Sequence, residues 1–251
     1  MRVLGLECAT SCQSVALVEE GRLVAEASYR AERARGGRLL PMVDEVLRKA
    51  GIAARDLDAV AVSVGPGSFT GVRVGVATAK GLALGTGAML VGLSTLEVLA
   101  EGYHPIAPEA DPDLTICAVL DAYRGEVYSA VFRRCASRSS ETLDRLSADA
   151  VLPPEAVAAS VEGPVHLIGN GVTRYRERLQ LAFGARATVT DEGLRAVPFA
   201  IAVAHMGWRR LAAGDQSGDE VAPVYLRRAE AEVNWEQGRA KSPLAKVMRS
   251  G

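Results

Sequence analysis

The chain has 251 residues, 49% of them hydrophobic and 24% charged, and a formal net charge of −1. That length and balance suit one large or two small globular domains, and near-neutrality argues against a large, independent nucleic-acid-binding face. No apolar run reaches the roughly 18 residues of a membrane span and the N-terminus lacks a signal peptide's apolar core, so a cytoplasmic protein without membrane contact is expected.

In chain order, Val3 to Cys8, Ser14 to Val18 and Leu23 to Tyr29 read as three strands, with Glu19-Glu20-Gly21-Arg22 as the hairpin turn between the last two. A helix begins near Gly36-Gly37. Leu39, Leu40, Val43, Val46, Leu47 and Ala50 form its apolar face, Asp44, Glu45 and Arg48 lie opposite, and Gly51 stops it. Asp58 to Val64 is an apolar, β-branched run, the pattern of a buried strand. It leads into Gly65-Pro66-Gly67-Ser68-Phe69-Thr70-Gly71-Val72-Arg73-Val74-Gly75, a tight turn that opens a helix running to Leu84, with Ser68 or Thr70 as its cap. Strand, glycine turn and helix in that order aim backbone N–H groups at an anion or at a neighbouring chain.

This glycine-bearing helix has two stripes of apolar or small residues. One is Val72, Val76, Ala79, Ala83; the other is Gly71, Gly75, Thr78, Leu82, Gly85, while Arg73 and Lys80 place charge on a third. A helix apolar on two faces is covered on two sides. Interior glycine costs about 1 kcal/mol relative to alanine, so Gly75 and Gly81 together cost about 2 kcal/mol unless close neighbours offset them. One face is assigned to the chain's own sheet and the other to a partner chain.

Met89 to Leu93 is a fifth strand, and Ser94-Thr95-Leu96-Glu97 has the form of a capping box opening another helix. The order of elements gives a mixed sheet with crossover helices. Pro105, Pro108 and Pro112 then mark a junction. Beyond it Leu114 to Leu120 and Glu126 to Arg133 read as strands, Ser137 to Glu141 as a loop, and Pro153-Pro154-Glu155 as a helix start. Val165 to Ile168 is a strand ending in a Gly169-Asn170-Gly171 turn. Helices are expected around Tyr175 to Leu181 and from Pro198 to Leu211, Pro223 to Arg227 as a strand or extended segment, and a frayed polar tail past Glu230. The expected organisation is a first subdomain over 1–103, a second over 104–228 whose helix near 198–212 packs back on the first, and a tail over 229–251.

A search for catalytic chemistry is mostly negative. His104, His166 and His205 form no helical zinc pair, and neither GxSxG nor GxxxxGK[ST] occurs. Cys8, Cys12, Cys117 and Cys135 lack CxxC spacing and read as core thiols. No catalytic or metal-binding residue is assigned. Glu7, beside Thr10 and Ser11, is the candidate for a metal-bridged phosphate. Against it, Cys8-Ala9 offers no glycine to let a phosphate reach the backbone, and one carboxylate holds Mg²⁺ poorly. Asp121, at a strand end, is a second carboxylate whose plainer role is bonding its own turn.

The N-terminal hairpin, Leu39-Leu40-Pro41-Met42-Val43-Asp44, the Gly65–Gly75 stretch, Asp121 with Gly125-Glu126-Val127-Tyr128, and Pro223-Val224-Tyr225-Leu226-Arg227 together resemble the TsaB (YeaZ) family. That family belongs to the bacterial machinery making N6-threonylcarbamoyladenosine beside the tRNA anticodon. Gly-Pro-Gly-Ser-Phe-Thr-Gly-Val-Arg is the specific part, and the match thins at 104–113, 137–165 and after 229. The resemblance implies an α/β, actin-like/Hsp70-like ATPase (ASKHA) fold of two related subdomains. It implies a non-catalytic scaffold that activates its paralogue TsaD for threonylcarbamoyl transfer to adenosine 37 of tRNA.

By the same resemblance the partners are TsaD in a heterodimer, TsaE with ATP, a second copy of the chain when it is alone, and tRNA through the complex. ATP or ADP belongs to the complex rather than to this chain. Packing two helices from each chain into a bundle assigns the interface to Leu39, Leu40, Val43, Val46, Leu47, Val72, Arg73, Val76, Ala79, Lys80 and Ala83. Two departures stand out: Glu7 where the family often has aspartate, and Gly36-Gly37-Arg38 where it often has a histidine, whose contact Arg38 is expected to take over. The competing reading is a stand-alone enzyme, either a glycoprotease-like hydrolase or a sugar-kinase-like phosphotransferase. The first lacks its histidine pair here; the second lacks phosphate turns with a catalytic aspartate.

Overall fold

Near-continuous apolar runs near the N-terminus fold into β1 (Arg2–Glu7) and β2 (Cys12–Glu19), buried on both faces, which with β3 (Arg22–Arg30) make an antiparallel meander. The computed structural model describes residues 1–30, 38–104, 113–136, 141–190, 193, 199–215 and 221–227. β4 (Ala59–Gly65) lies parallel to β1, and β5 (Met89–Ser94) lies parallel to β4. Parallel neighbours need crossovers. α1 (Leu39–Ala50) and α2 (Phe69–Thr86) supply them, packing on β2–β3 and on β4 respectively. The sheet order is β3-β2-β1-β4-β5.

Strand periodicity divides the first sheet's side chains between two cores. Leu4, Leu6, Val60 and Val62 meet Val43, Val46, Val72 and Val76 of the two helices. Val3, Ala59 and Ala61 point the other way, to α6 (Ala200–Ala212), which packs across β1, β2 and β4. Between the two sheets, α3 (Thr95–Glu101) gives Val98 to this second core and Leu96 and Leu99 to the next sheet.

The second half repeats the plan. β6 (Asp113–Asp121), β7 (Val127–Ala136) and β8 (Glu141–Arg145) are antiparallel, while β10 (Val165–Ile168) is parallel to β6 and β11 (Ala187–Thr188) to β10. β9 (Ala150–Leu152) pairs with β7 off the main path. The order β11-β10-β6-β7-β8 therefore has the same scheme as the first sheet. Three antiparallel strands come first, then two parallel strands on the free edge of the leading one. This duplicated mixed sheet is the ASKHA arrangement. A 3-10 helix (Pro154–Ser160), α4 (Asn170–Arg174) and α5 (Arg176–Phe183) cover its far side.

Several local expectations differ from the structure. Of the two candidate caps Ser68 takes the role, so α2 starts at Phe69: the Ser68 Oγ accepts from the Gly71 N–H at 3.2 Å. Only half of the capping box forms, since Ser94 Oγ accepts from the Glu97 N–H at 3.5 Å while the Glu97 carboxylate pairs with Arg210 and Arg145. Gly169-Asn170-Gly171 opens α4 instead of making a free turn. Pro223 to Arg227 joins no sheet and bends at Leu226 and Arg227; Val224 N–H donates to the Val64 carbonyl at 2.8 Å. The helix start at Gly36-Gly37, the proline junction, residues 137–140, Pro198 and the tail lie outside the described residues.

Candidate functional site

The two crossover helices divide the expected interface residues between inside and outside. Leu39, Val43, Val46 and Leu47 of α1 and Val72, Val76 and Ala79 of α2 are buried in the chain's own core. All seven lie on the stripe that packs on the chain's own sheet. Leu40 is 60% exposed, Arg73 and Lys80 are exposed, and Ala83 is half-buried.

What faces outward on α2 is a different stripe: Arg73, Ala77, Lys80, Gly81, Leu84 and Gly85, with Leu84 89% exposed. Gly75 is explained inside the chain, because a Cβ there would stand 3.3 Å from the Cys8 Cβ. Gly81 and Gly85 are not, since a Cβ on either would meet nothing within 4 Å.

The turn before α2 is clamped, backbone to backbone, against the loop after β1. Ser68 N–H donates to the Ala9 carbonyl at 2.7 Å. A Cβ on Gly67 would lie 2.3 Å from that same oxygen, and one on Gly71 2.0 Å from the Cys8 carbonyl, so only glycine permits the approach. The space a phosphate would need beside this loop is taken up by the clamp.

Glu7 itself is fully buried. Its Oε1 accepts from the Ala9 N–H at 2.6 Å, and its Oε2 has no hydrogen-bond partner among the described residues. Burial pushes the carboxyl up to about 7, against the pull of the nearby Ser63 hydroxyl and the Ala9 and Thr10 backbone. Thr10 Oγ1 is turned to the Cys12 backbone and Ser11 is exposed, so the three do not converge on one point. Asp121 is likewise committed: its Oδ1 accepts from Tyr123 N–H and Tyr175 O–H, and its Oδ2 pairs with Arg174 at 3.4 Å. These residues do not fit a metal-bridged phosphate.

Among the described residues, no group of three or more His, Cys, Asp or Glu side chains is placed to hold a metal ion. Burial raises the Cys8 thiol strongly and Cys117 to about 11, which makes both poor nucleophiles at neutral pH. Among the same residues, no helix is long and apolar enough to cross a membrane. Arg38 lies over the Tyr29 ring at 4.6 Å.

Local sequence reading did not find the group at the start of α2. Phe69 and Tyr225 pack with ring centroids 5.2 Å apart, Arg73 stacks over Phe69 at 3.8 Å, and Arg73 Nε donates to the Tyr225 hydroxyl at 2.7 Å. The one signal is that Phe69, Arg73 and Tyr225 sit in two of the stretches that carry the family resemblance.

A family model described as "TsaD: tRNA N6-adenosine threonylcarbamoyltransferase" matches residues 29–235. The tRNA threonylcarbamoyladenosine biosynthesis protein TsaB of Escherichia coli (strain K12) is 39% identical over 160 residues, 62% of this chain and 64% of that protein. The Haemophilus influenzae protein of the same name is 29% identical over 242 residues, 94% of this chain and 97% of that one. The solved structure of YeaZ from Pseudomonas aeruginosa superposes with a TM-score of 0.72 at 31% identity, covering 90% of this chain and 99% of the other. The chain belongs to the TsaB (YeaZ) family. Gly65 to Arg73, the stretch that chiefly carries the resemblance, is the clamped turn and first helical turn of α2. The family signature and the outward stripe therefore belong to one element.

Proposed function

We propose that this chain is a non-catalytic scaffold subunit in tRNA threonylcarbamoyladenosine biosynthesis. It binds a TsaD-type subunit through the outer face of α2, with Leu40 of α1 contributing, and holds that subunit active for transfer to adenosine 37. The observation that carries this reading is the outer stripe. Gly81 and Gly85 stand in open space; Gly81, in the helix interior, costs about 1 kcal/mol relative to alanine, and nothing among the described residues offsets it. A second helix laid across the stripe does, because missing Cβ atoms let two backbones approach closely and bury Ala77 and Leu84 between them.

Arg73 and Lys80 supply the charge on the stripe, where they steer association and fix register. Without TsaD, two copies cover the stripe on each other as a homodimer. TsaE with ATP joins the heterodimer, tRNA is reached through the complex in the cytoplasm, and the nucleotide requirement belongs to the assembly. The test is reconstitution with cognate TsaD, TsaE, ATP, tRNA and a threonylcarbamoyl donor. Modified tRNA is expected only when this chain is present together with TsaD, and none from this chain alone. Equal product without the chain would overturn the reading.

A further inference from the structure

Residues 221–227 cross from one half of the molecule to the other in seven residues. Val221 is buried in the first core, beside Val64 and Gly92. Val224 is hydrogen-bonded to the end of β4, and its carbonyl lies 2.8 Å from where a Cβ on Gly65 would be. Tyr225 engages Phe69 and Arg73 on the first turn of α2. Leu226 packs against the core of the second sheet. Arg227 ends the crossing: its Nη1 donates to the Ala122 carbonyl at 2.8 Å and its Nη2 pairs with Glu126.

The turn that Arg227 grips, between β6 and β7, is under strain. Tyr123 and Arg124 both have left-handed backbones, with φ of 61° and 54°, followed by Gly125 at 84°. Such a turn persists because its surroundings over-determine it. Asp121 holds the Tyr123 N–H, Asn170 Oδ1 accepts from the Asp121 N–H, and Arg227 holds the Ala122 carbonyl. Tyr123 is nonetheless 63% exposed.

We propose that residues 221–227 are a coupling strap that transmits the state of the β6–β7 turn to the first turn of α2, and so sets the pose in which α2 meets its partner. The strap has two states. Seated, it fixes Phe69 and Arg73 under Tyr225; unseated, it frees the helix start and the turn together. Coupling through one such element needs both ends to bias the same equilibrium. The partner-affinity half of this proposal rests on the scaffold reading; the coupling itself does not.

Amide exchange on the isolated full chain tests the coupling. Arg227→Ala is expected to speed exchange at Ser68, Gly71 and Val72 by about fivefold, the factor that loss of one net hydrogen bond gives. Arg227→Lys, which keeps the charge but not the fork, falls between, and remains informative should the alanine variant fold poorly. Arg178→Ala approaches from the turn alone. It loosens the same turn, through the Gly125 carbonyl and Glu155, without touching the strap, and is expected to speed exchange at those α2 amides too, by less than Arg227→Ala does. Unchanged exchange in both Arg227 variants, or unchanged α2 amides in Arg178→Ala while the Tyr123 and Glu126 amides of the turn exchange faster, overturns the strap. In the partner arm, Arg227→Ala is expected to weaken TsaD binding by a similar factor although it lies off the α2 stripe. Faster exchange with unaltered affinity overturns the partner half alone. If the unmodified chain fails to bind TsaD, the scaffold reading falls and the exchange result still decides the strap.

Discussion

Replacing Glu7 with glutamine tests whether the carboxyl at the end of β1 is structural. The wild-type side chain is fully buried and its folded-state pKa is raised from 4.5 to about 7. Below pH 4.5 it is protonated in both states and exacts no ionisation penalty. Between pH 4.5 and 7 the unfolded chain releases the proton while the folded chain keeps it, so stability falls as pH rises. Above 7 the loss is complete. A gap of that size corresponds to about 3 kcal/mol.

Glu7→Gln keeps an acceptor for the Ala9 N–H and removes the titration. The comparison is urea unfolding of both proteins at pH 5, 6, 7 and 8, reading the difference in unfolding free energy. Subtraction cancels the other titrating groups, and the unpaired amide N–H₂ adds only an offset that does not depend on pH. The glutamine variant is expected to gain on the wild type by about 2–3 kcal/mol between pH 5 and 8. A difference that stays flat across the range would show that Glu7 is ionised and stabilised in the folded chain. It would then be a candidate ligand again.

Further predictions follow from burial. Val76→Glu places an unpaired charge in a site only 3% exposed, and circular dichroism is expected to show loss of the fold, at a cost of several kcal/mol. Leu84→Glu, on the outer stripe, is expected to leave the thermal midpoint nearly unchanged while abolishing TsaD binding in light scattering or calorimetry. Gly71→Ala drives a Cβ to 2.0 Å from the Cys8 carbonyl, and denaturant titration is expected to show a loss of more than about 3 kcal/mol, since the clash is with backbone that cannot turn aside. Ser68→Ala removes the α2 cap, for which the same titration is expected to give about 1 kcal/mol.

Much of the fold is legible in the sequence where local chemistry and global packing agree. The β-branched run before Gly65 and the apolar face of α1 are such places. β8 and β9 escaped because an edge strand such as Glu141-Thr142-Leu143-Asp144-Arg145 turns only the half-buried Leu143 to the core, too little to impose alternation. The interface is harder for a related reason. Helical spacing finds a stripe but not the direction it faces, and the most hydrophobic stripe belongs to the chain's own core. Apart from Leu84, the outer stripe is built of small residues, Ala77, Gly81 and Gly85, that score weakly as apolar. Burial of Glu7 was hinted at by Leu6 and Cys8 on either side, yet a carboxylate at a strand end reads first as a ligand. The contact of Tyr225 with Arg73 joins positions 152 residues apart, and no local pattern encodes that.

The most direct test of the scaffold account is Gly81→Leu, with affinity for TsaD and stability of the isolated chain measured on the same preparation. Leucine is the better helix former and has open space in the free chain, so the thermal midpoint is expected to hold or rise. The same side chain keeps a second helix at a distance, and affinity is expected to fall at least about tenfold, a loss of about 1.4 kcal/mol. Unchanged affinity together with unchanged or higher stability would contradict the assignment of the α2 outer stripe to the partner.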